Sequence, residues 1–288
     1  MRAPPRPQAD PGPALRAPRR SSAVRAAVVG AGLAYLAVLV VGPLAGIAWT
    51  ALAPGWRVVA DTFSRPDVRH AALLTAVITA VSVAVTAAFG VVVAWVLVRQ
   101  RFPGRGVLNA LVDLPFALSP VTVGLACVLL FGRGGWFEPF LAARGVQVIF
   151  ALPSMVLVTA FICLPFAVRE VAPVLQEVGT EEEEAARTLG ASAIQAFWRV
   201  TLPNIRWGLL HGVALSTARS IGEIGAVLVV SGLIQGRTET LTLYIFRALE
   251  ERQTASAYTV ALVLAAVSVL VLSAIEWLKH KTLRRDPR

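Results

Sequence analysis

Two opposite charges four residues apart, Arg219 and Glu223, interrupt a run of apolar residues from 209 to 232. If this run is a helix that crosses a membrane, the two side chains share one face and Arg219 lies near the middle of the bilayer. An arginine at that depth costs about 2.5–3.5 kcal/mol, so it should face protein or a water-filled path. The pair is either a self-neutralising ion pair that fixes helix packing or a charged lining or gate of a translocation path. We favour the path.

A second candidate lining segment is DLPFALSPVTVG, residues 113–124. Pro115 and Pro120 each remove a backbone hydrogen bond, so a helix in this segment should be kinked or locally unwound. We expect the hydroxyls of Ser119 and Thr122 to satisfy the freed backbone groups and to line the path, because broken membrane helices often border cavities. A proline kink used only for packing is the alternative.

No constellation for covalent chemistry can be recognised in the sequence. The two lysines, Lys279 and Lys281, do not follow a glycine, so the phosphate-binding loop of P-loop ATPases does not occur in the printed sequence. His70 and His211 have no further ligand at a spacing typical of a metal site. We therefore expect a non-catalytic chain, with no cofactor and no metal of its own.

The elements that must position these residues are membrane helices. Hydrophobic residues make up 56% of the 288 residues and charged residues only 15%, whereas soluble domains have about 25% charged residues. About 20 apolar residues cross the hydrocarbon core of a bilayer. Five charge-free runs are long enough, and the run that holds Arg219 is a sixth: 26–56, 70–98, 114–132, 145–168, 253–275 and 207–236. The sequence predicts an all-α integral membrane protein with six transmembrane helices.

The distribution of basic residues predicts the orientation of these helices. With the N-terminus inside, 18 Lys and Arg residues lie on the cytosolic side and 8 outside, which places both termini in the cytosol and the protein in the plasma (inner) membrane. Residues 1–22 should be a disordered tail, 23–279 the membrane domain and 280–288 a C-terminal tail. The net charge of +10 follows from this topology signal, so we expect contact with membrane lipid and none with nucleic acid.

The longest polar interruption is the segment 178–203, which we call the coupling loop. Thr180 and Glu183 have the spacing of a capping box, and glutamates are favourable in the first turn of a helix. A helix should therefore begin near Glu181 and end at Gly190, which readily adopts the left-handed conformation that terminates helices.

A second amphipathic helix is predicted over 193–200 of the coupling loop. Pro203 suits the first turn of a further helix, so the pattern indicates a helix, an elbow, a second short helix and then a membrane span. A solvated connecting loop is the simplest alternative, because most runs of charge are solvated surfaces.

The spacing of the coupling loop resembles the E-A-A-x-x-x-G-x9-I-x-L-P signature of ABC importer permeases, with valine in the place of the isoleucine. The matching residues are Glu184, Ala185, Ala186, Gly190, Val200, Leu202 and Pro203. The resemblance implies that these residues dock on a separate cytosolic ATPase, which binds Mg-ATP in place of this chain. It also implies the six-helix fold of type I ABC importer permeases.

The run ARSIGEIGA, residues 218–226, resembles the sulfate and molybdate branch of these permeases, with Ile224 in place of the usual aromatic residue. Segments such as DLPFALSPV and VTLPNIRWGLLHGVAL are similar to the sulfate/thiosulfate permease family, and more to its W-type than to its T-type subunit. The resemblance implies a T-type permease as partner, which the first helix wraps. It further implies two copies of the ATPase and an extracytoplasmic sulfate-binding protein.

Two alternatives to a sulfate or thiosulfate importer stay open at this point. Molybdate or tungstate would be an alternative cargo, because oxyanions of similar shape are separated by binding-protein contacts outside this chain. A secondary transporter or channel that works without ATP would also use a membrane-embedded Arg219 and Glu223. Only the ATP-driven importer requires a coupling loop.

Overall fold

The computed structural model describes residues 22–283, and within that range the chain forms helices and turns without a strand. Four helices are long and apolar enough to cross a membrane, and the number rises to six if each of two sharply bent helix pairs is one span. The predicted all-α membrane fold is confirmed. Of the predicted tails, residues 1–21 and 284–288 lie outside the described residues, and the last helix continues to Leu283.

The chain divides into two units at Gly46. The described part of the first unit consists of α1 (Ser22–Leu36), a π-helical turn (Ala37–Val41) and the beginning of α2 (Gly42–Leu52). The π turn ends two residues before Pro43, whose ring has no N–H and would collide with the carbonyl four residues earlier in a regular helix. The side chains of residues 26–46 are exposed on the single chain.

The second unit is built around α8, which packs against both α4 and α11. The helices of this unit are α3 (Trp56–Ser64), α4 (Pro66–Arg99), α5 (Arg105–Ala117), α6 (Pro120–Phe131), α7 (Glu138–Ala142), α8 (Leu152–Val178), α9 (Glu181–Thr188), α10 (Ala193–Ala196), α11 (Leu202–Ile221), α12 (Gly225–Ser231), α13 (Leu241–Glu250) and α14 (Thr254–Leu283). A second π turn, Phe197–Thr201, joins α10 to α11.

Small residues allow the three central helices to approach closely. A Cβ atom on Gly90 of α4 would lie 2.5 Å from the Cβ of Ala167 in α8, and one on Gly212 of α11 would lie 3.0 Å from the Ala167 Cα. Ser82 and Thr86 of α4 donate hydrogen bonds of 3.2 Å to carbonyl oxygens of α8. Close packing of this kind is the main source of helix association in lipid, where apolar burial contributes little.

The second unit contains three buried apolar clusters. The first joins the N-terminal half of α8 to α6 and α12, and the second joins the C-terminal halves of α8 and α4 to α11. The third joins the beginning of α4 to α13 and α14. Met155, Leu175 and Tyr244 are the largest fully buried apolar side chains of the respective clusters.

The third predicted span is broken, as expected from its prolines. Helices α5 and α6 meet at an angle of 114°, and the break lies at Leu118 and Ser119, which are both extended. Pro120 disfavours helical geometry in the residue before it and opens α6, whereas Pro115 remains inside α5. The prediction that hydroxyls satisfy the freed backbone is wrong for Ser119, whose side chain makes no capping hydrogen bond. Both Ser119 and Thr122 are exposed on the single chain.

An ionic network holds α13 against the first turn of α4. The Arg247 guanidinium lies 2.6 Å from Glu239 Oε1, 3.0 Å from Glu251 Oε2 and 3.5 Å from Asp67 Oδ2. The hydrogen bond to Glu239 is the main reason why the pKa of Arg247 is raised above its usual range, and Glu251 adds to the effect. Sequence spacing did not indicate this network, because Asp67 lies far from the other three residues along the chain.

The close approach of α4 and α8 predicts opposite effects on stability for two glycine-to-alanine substitutions. Gly90→Ala should destabilise the protein by about 1–3 kcal/mol, because the added methyl group overlaps Ala167. Gly106→Ala in α5 meets no atom within 4 Å and should be neutral or stabilise by up to about 1 kcal/mol. Unfolding midpoints of the two variants in detergent test this, and equal midpoints would contradict the packing described for α4 and α8.

Candidate functional site

The first helix of the coupling loop begins where the sequence predicted, at Glu181, but its cap differs. Thr180 is the N-cap residue and its side chain makes no capping hydrogen bond, so the predicted capping box with Glu183 is wrong. The reason is that Glu183 is turned inward and buried, where its carboxylate binds Arg99. The exposed neighbour Glu184 donates its backbone N–H to the Thr180 carbonyl oxygen at 2.9 Å.

Gly190 ends this helix as predicted. Its φ angle is +89°, and its N–H donates to the carbonyl oxygen of Arg187 at 3.0 Å. The N–H of Ala191 donates to the carbonyl oxygen of Ala186, also at 3.0 Å. These two bonds form a Schellman motif with Gly190 in the left-handed position, so the chain turns sharply after α9.

The second helix of the coupling loop begins with a true capping box. Ser192 Oγ accepts a hydrogen bond from the backbone N–H of Gln195 at 3.2 Å, and Gln195 Oε1 accepts one from the backbone N–H of Ser192 at 2.9 Å. The sequence analysis missed this box, although Ser and Gln stand at the spacing of the capping signature.

The prediction of a separate short helix before Pro203 is wrong, because the helix continues without a break from Ala193 to Ile221. A π turn, in which the Leu202 N–H donates to the Phe197 carbonyl oxygen, accommodates Pro203 within the helix. The wider turn removes the collision between the Pro203 ring and the preceding turn, as beside Pro43. The second helix of the coupling loop and the next membrane segment are therefore one rod, from Ala193 to Ile221.

The predicted docking residues lie mainly on the outside of the coupling loop. Glu184, Ala185, Gly190 and Pro203 are exposed, whereas Ala186, Val200 and Leu202 are half-buried. Beside them the structure exposes three large apolar side chains: Leu189 at 89%, Ile194 at 72% and Trp198 at 62%. Exposed apolar side chains grouped on a polar loop are typical of a surface that another molecule covers.

The base of the coupling loop is closed by Arg99, the last residue of α4. Its Nη2 lies 3.1 Å from Glu183 Oε1 and also donates to the carbonyl oxygen of Gly179. Thr201 Oγ1 donates to the same Glu183 Oε1 at 3.0 Å. The sequence analysis missed this cluster, because its signal is a contact between residues 84 positions apart in the chain.

The structure pairs Arg219 with Glu223 across a second helix break. Arg219 Nη2 lies 2.6 Å from Glu223 Oε2, yet α11 ends at Ile221 and α12 begins at Gly225 with a bend of 57°. The expectation that both residues share one face of a continuous helix is therefore wrong. Glu223 is buried and its Oε1 accepts the N–H of Ala226 at 2.9 Å, so its carboxylate caps the helix after the break.

The two helix breaks lie next to each other. A Cβ atom on Gly225 would lie 2.9 Å from Pro120 Cβ, and one on Gly124 would lie 2.9 Å from the Ala226 carbonyl oxygen. The segment that carries Ser119 and Thr122 is thus brought beside the segment that carries the ion pair. Within the ion pair Glu223 is buried, whereas about a third of the Arg219 side chain is exposed.

Two further polar contacts join α8 to its neighbours. His211 Nδ1 lies 2.7 Å from Glu170 Oε2, so this histidine is a hydrogen-bonded side chain between α11 and α8. Arg169 forms an ion pair with Asp113 of α5, with Nε 2.9 Å from Oδ1. Among the residues that the structure describes, no group of three His, Cys, Asp or Glu side chains is arranged to hold a metal ion.

The bundle combines two broken helix pairs with an exposed turn at Gly190 between α9 and α10. Residues 86–284 match the family described as the inner membrane component of binding-protein-dependent transport systems. The chain belongs to this family. The matched range contains the coupling loop, both helix breaks and Arg99.

Two curated relatives specify the resemblance further. The chain is 43% identical over 260 residues to the sulfate transport system permease protein CysW of Synechococcus elongatus, covering 90% of this chain and 91% of that protein. It is 38% identical over 257 residues to the sulfate transport system permease protein CysT of Salmonella typhimurium, covering 89% and 93%. The predicted likeness to W-type sulfate permeases is confirmed.

The fold also matches that of a solved ABC transporter. A chain of a bacterial alginate ABC transporter, in complex with a periplasmic protein that binds an alginate pentasaccharide, superposes with a TM-score of 0.72. The match covers 90% of this chain and 94% of that chain at 15% identity. At this identity the match supports the ABC importer permease fold and carries no information about cargo.

The capping box gives a local prediction for the coupling loop. Ser192→Ala should speed hydrogen exchange of the Gln195 amide about fivefold, because an N-cap side chain contributes about 1 kcal/mol. Thr180→Ala is the matched control and should leave exchange in α9 unchanged, since the Thr180 side chain caps nothing. Faster exchange in α9 of the control variant would contradict the assignment of the two caps.

Proposed function

We propose that this chain is the permease subunit of an ATP-driven importer that carries sulfate or thiosulfate across the cytoplasmic membrane. The observation that carries the proposal is the coupling loop, in which a Schellman turn at Gly190 presents Glu184, Leu189 and Ile194 together on an exposed surface. A secondary transporter has no use for such a surface. The cargo rests on the relatives, whose names specify sulfate.

The exposed surface fits a groove on a cytosolic ATPase that has an apolar floor and basic groups at its edge. Leu189 and Ile194 would enter the apolar floor, and the exposed glutamates of α9, Glu184 among them, would meet the basic groups. The ATPase, present in two copies, binds and hydrolyses Mg-ATP, and this chain is not an enzyme. The orientation follows, with the coupling loop and both termini on the cytosolic side.

The second permease subunit is a T-type chain, since the curated relatives include both W-type and T-type sulfate permeases. The first helix contributes to this pairing. Its side chains from 26 to 46 are apolar and exposed on the single chain, and a partner or lipid must cover them. An extracytoplasmic sulfate-binding protein delivers the cargo at the opposite end of the permease.

The rod from Ala193 to Ile221 carries the movement into the membrane. It is about 40 Å long from the helical rise, and it ends at the break beside the Arg219–Glu223 pair. A force on the part of the coupling loop that belongs to the rod is therefore transmitted to this pair without an intervening hinge. ATP-driven closure of the ATPase dimer would tilt the rod and expose the path alternately to the two sides.

The adjacent helix breaks support a translocation path at the ion pair. Irregular backbone within a membrane is tolerated where it is sheltered by protein or borders a water-filled cavity. Ser119 and Thr122 supply neutral hydroxyls there, and the exposed part of Arg219 supplies a positive charge for a passing oxyanion. Glu223 limits the attraction, which allows the anion to leave again.

The docking surface is tested with Gly190→Asp. A side chain at a φ angle of +89° strains the Schellman turn, so the variant should insert normally but lose ATPase binding and uptake of labelled sulfate. Gly104→Asp is the matched control, because Gly104 has a φ angle of +96° and open surroundings but lies in another loop. Wild-type ATPase recovery together with normal uptake in Gly190→Asp would refute the docking surface.

The path is tested with Arg219→Ala and the double variant R219A/E223Q. The single variant leaves Glu223 as an unpaired buried charge, and the double variant removes that charge. If Arg219 serves the path, both variants should assemble with the ATPase and both should lack sulfate uptake. If the double variant regains uptake, or if neither variant assembles, the ion pair serves packing alone. Arg206→Ala, an exposed position on the same helix, is the control.

A further inference from the structure

Arg99 connects three parts of the protein through its own side chain and a fourth through Glu183. It stands at the C-terminal end of α4 and reaches the carbonyl oxygen of Gly179, directly after α8. It also binds Glu183 in the first turn of α9, and Glu183 in turn accepts the hydroxyl of Thr201 from the π turn. The bridge of Arg99, Glu183 and Thr201 therefore ties the coupling loop to α4 as well as to the rod.

The bridge has the geometry of a strong interaction. Only 8% of the Arg99 side chain and 9% of the Glu183 side chain are exposed, so water screens the pair weakly. The bonds of 3.1 and 3.0 Å are charge-assisted and share one carboxylate oxygen. Removing one partner of a buried pair leaves an unpaired buried charge, which destabilises a protein far more than the loss of an exposed salt bridge.

The positions of Glu183 and Glu184 separate two tasks within one helical turn. Successive residues of an α-helix point about 100° apart, so one carboxylate can face outward while the next faces inward. Glu184 is exposed on the docking surface, and Glu183 is buried against the membrane helices. A force that a partner applies to the outer face of α9 would thus be passed to the membrane helices by Glu183 on its inner face.

Apart from the bridge, α9 is attached to the membrane helices by its two chain connections and by a hydrogen bond of 2.6 Å from Asn204 Nδ2 of α11 to Glu182 Oε2. The chain enters α9 through Gly179, which has a φ angle of +68° and open surroundings, and leaves it through the turn at Gly190. Apart from side-chain bridges, α9 packs on α10 and on the π turn of its own loop. Arg99 is therefore the direct charged link between α9 and α4.

We infer that the bridge of Arg99, Glu183 and Thr201 is a mechanical strut that makes the coupling loop and α4 move as one body. The inference rests on the proposed docking of this loop on an ATPase. In this arrangement the ATPase stroke reaches the membrane through two helices, α11 by chain continuity and α4 by the strut. Arg99, Glu183 and Thr201 are positioning residues, since none of them needs to touch the ATPase or the cargo.

The test uses the complete transporter in proteoliposomes, with ATP hydrolysis and uptake of labelled sulfate measured in the same vesicles. Arg99→Met and Glu183→Gln should bind the ATPase and hydrolyse ATP like the wild type, but sulfate taken up per ATP should fall at least fivefold. The charge-exchanged variant R99E/E183R should regain part of this ratio. Arg101→Met is the control, because Arg101 is exposed and only two residues from Arg99.

The outcomes separate the strut from simpler roles. An unchanged ratio of uptake to hydrolysis in both single variants overturns the strut. Loss of ATPase binding in Glu183→Gln also overturns the strut, since the bridge would then serve only to fold the coupling loop. Glu183→Gln is the mildest change, because Gln can still accept the hydrogen bond from the Thr201 hydroxyl. Failure of the wild-type chain to bind the ATPase would refute the docking proposal itself and is seen before any variant is compared.

Discussion

A charge carried into an apolar helical body has to be neutralised where it lies, because an unpaired buried ion costs several kcal/mol. Three buried carboxylates of this chain meet that requirement: Glu183 pairs with Arg99 of α4, Glu223 pairs with Arg219 across the break between α11 and α12, and Glu239 pairs with Arg247, which also reaches Asp67 of α4. Each pair fixes the angle at which two elements meet. The buried charges therefore lie where separate elements of the fold meet. These junctions are the places where we look for function.

Backbone hydrogen bonding imposes a second constraint. The chain satisfies it in different ways before Pro203, Pro120 and Gly225. Before Pro203 a π turn keeps the helix continuous, so α10, the second helix of the coupling loop, stays rigidly attached to α11. Before Pro120 the chain instead becomes extended and the helix turns by 114°. The break ahead of Gly225 is stabilised by the Glu223 carboxylate, which caps α12. A rigid rod and two adjacent breaks result from these local choices, and in the proposed mechanism the rod transmits force while the breaks border the path.

Local signals in the sequence predicted what depends on neighbours in the chain. The apolar runs located the membrane helices, the glutamates located the start of α9, and Gly190 located its end. Contacts between distant residues could not be predicted in the same way. Glu183 stood at a capping-box spacing, and only the fold reveals that Arg99, 84 positions away, takes its carboxylate instead. The i, i+4 spacing of Arg219 and Glu223 likewise suggested one continuous helix, because a break without a proline leaves little trace in the sequence.

The arrangement of rigid and flexible parts limits how this permease can move. The rod from Ala193 to Ile221 is one continuous helix, and α4 packs so closely against α8 that a methyl group on Gly90 would overlap Ala167. If a force acts on the coupling loop, α4, α8 and α11 must therefore tilt together, and the first place that can yield is the break beside Glu223. Because the broken segment of Pro120 lies against that point, yielding there changes the spacing between the two breaks. In the proposed mechanism, a change in that spacing alters access to Arg219, so a single rigid-body tilt would connect the proposed docking surface with the charge beside the two breaks.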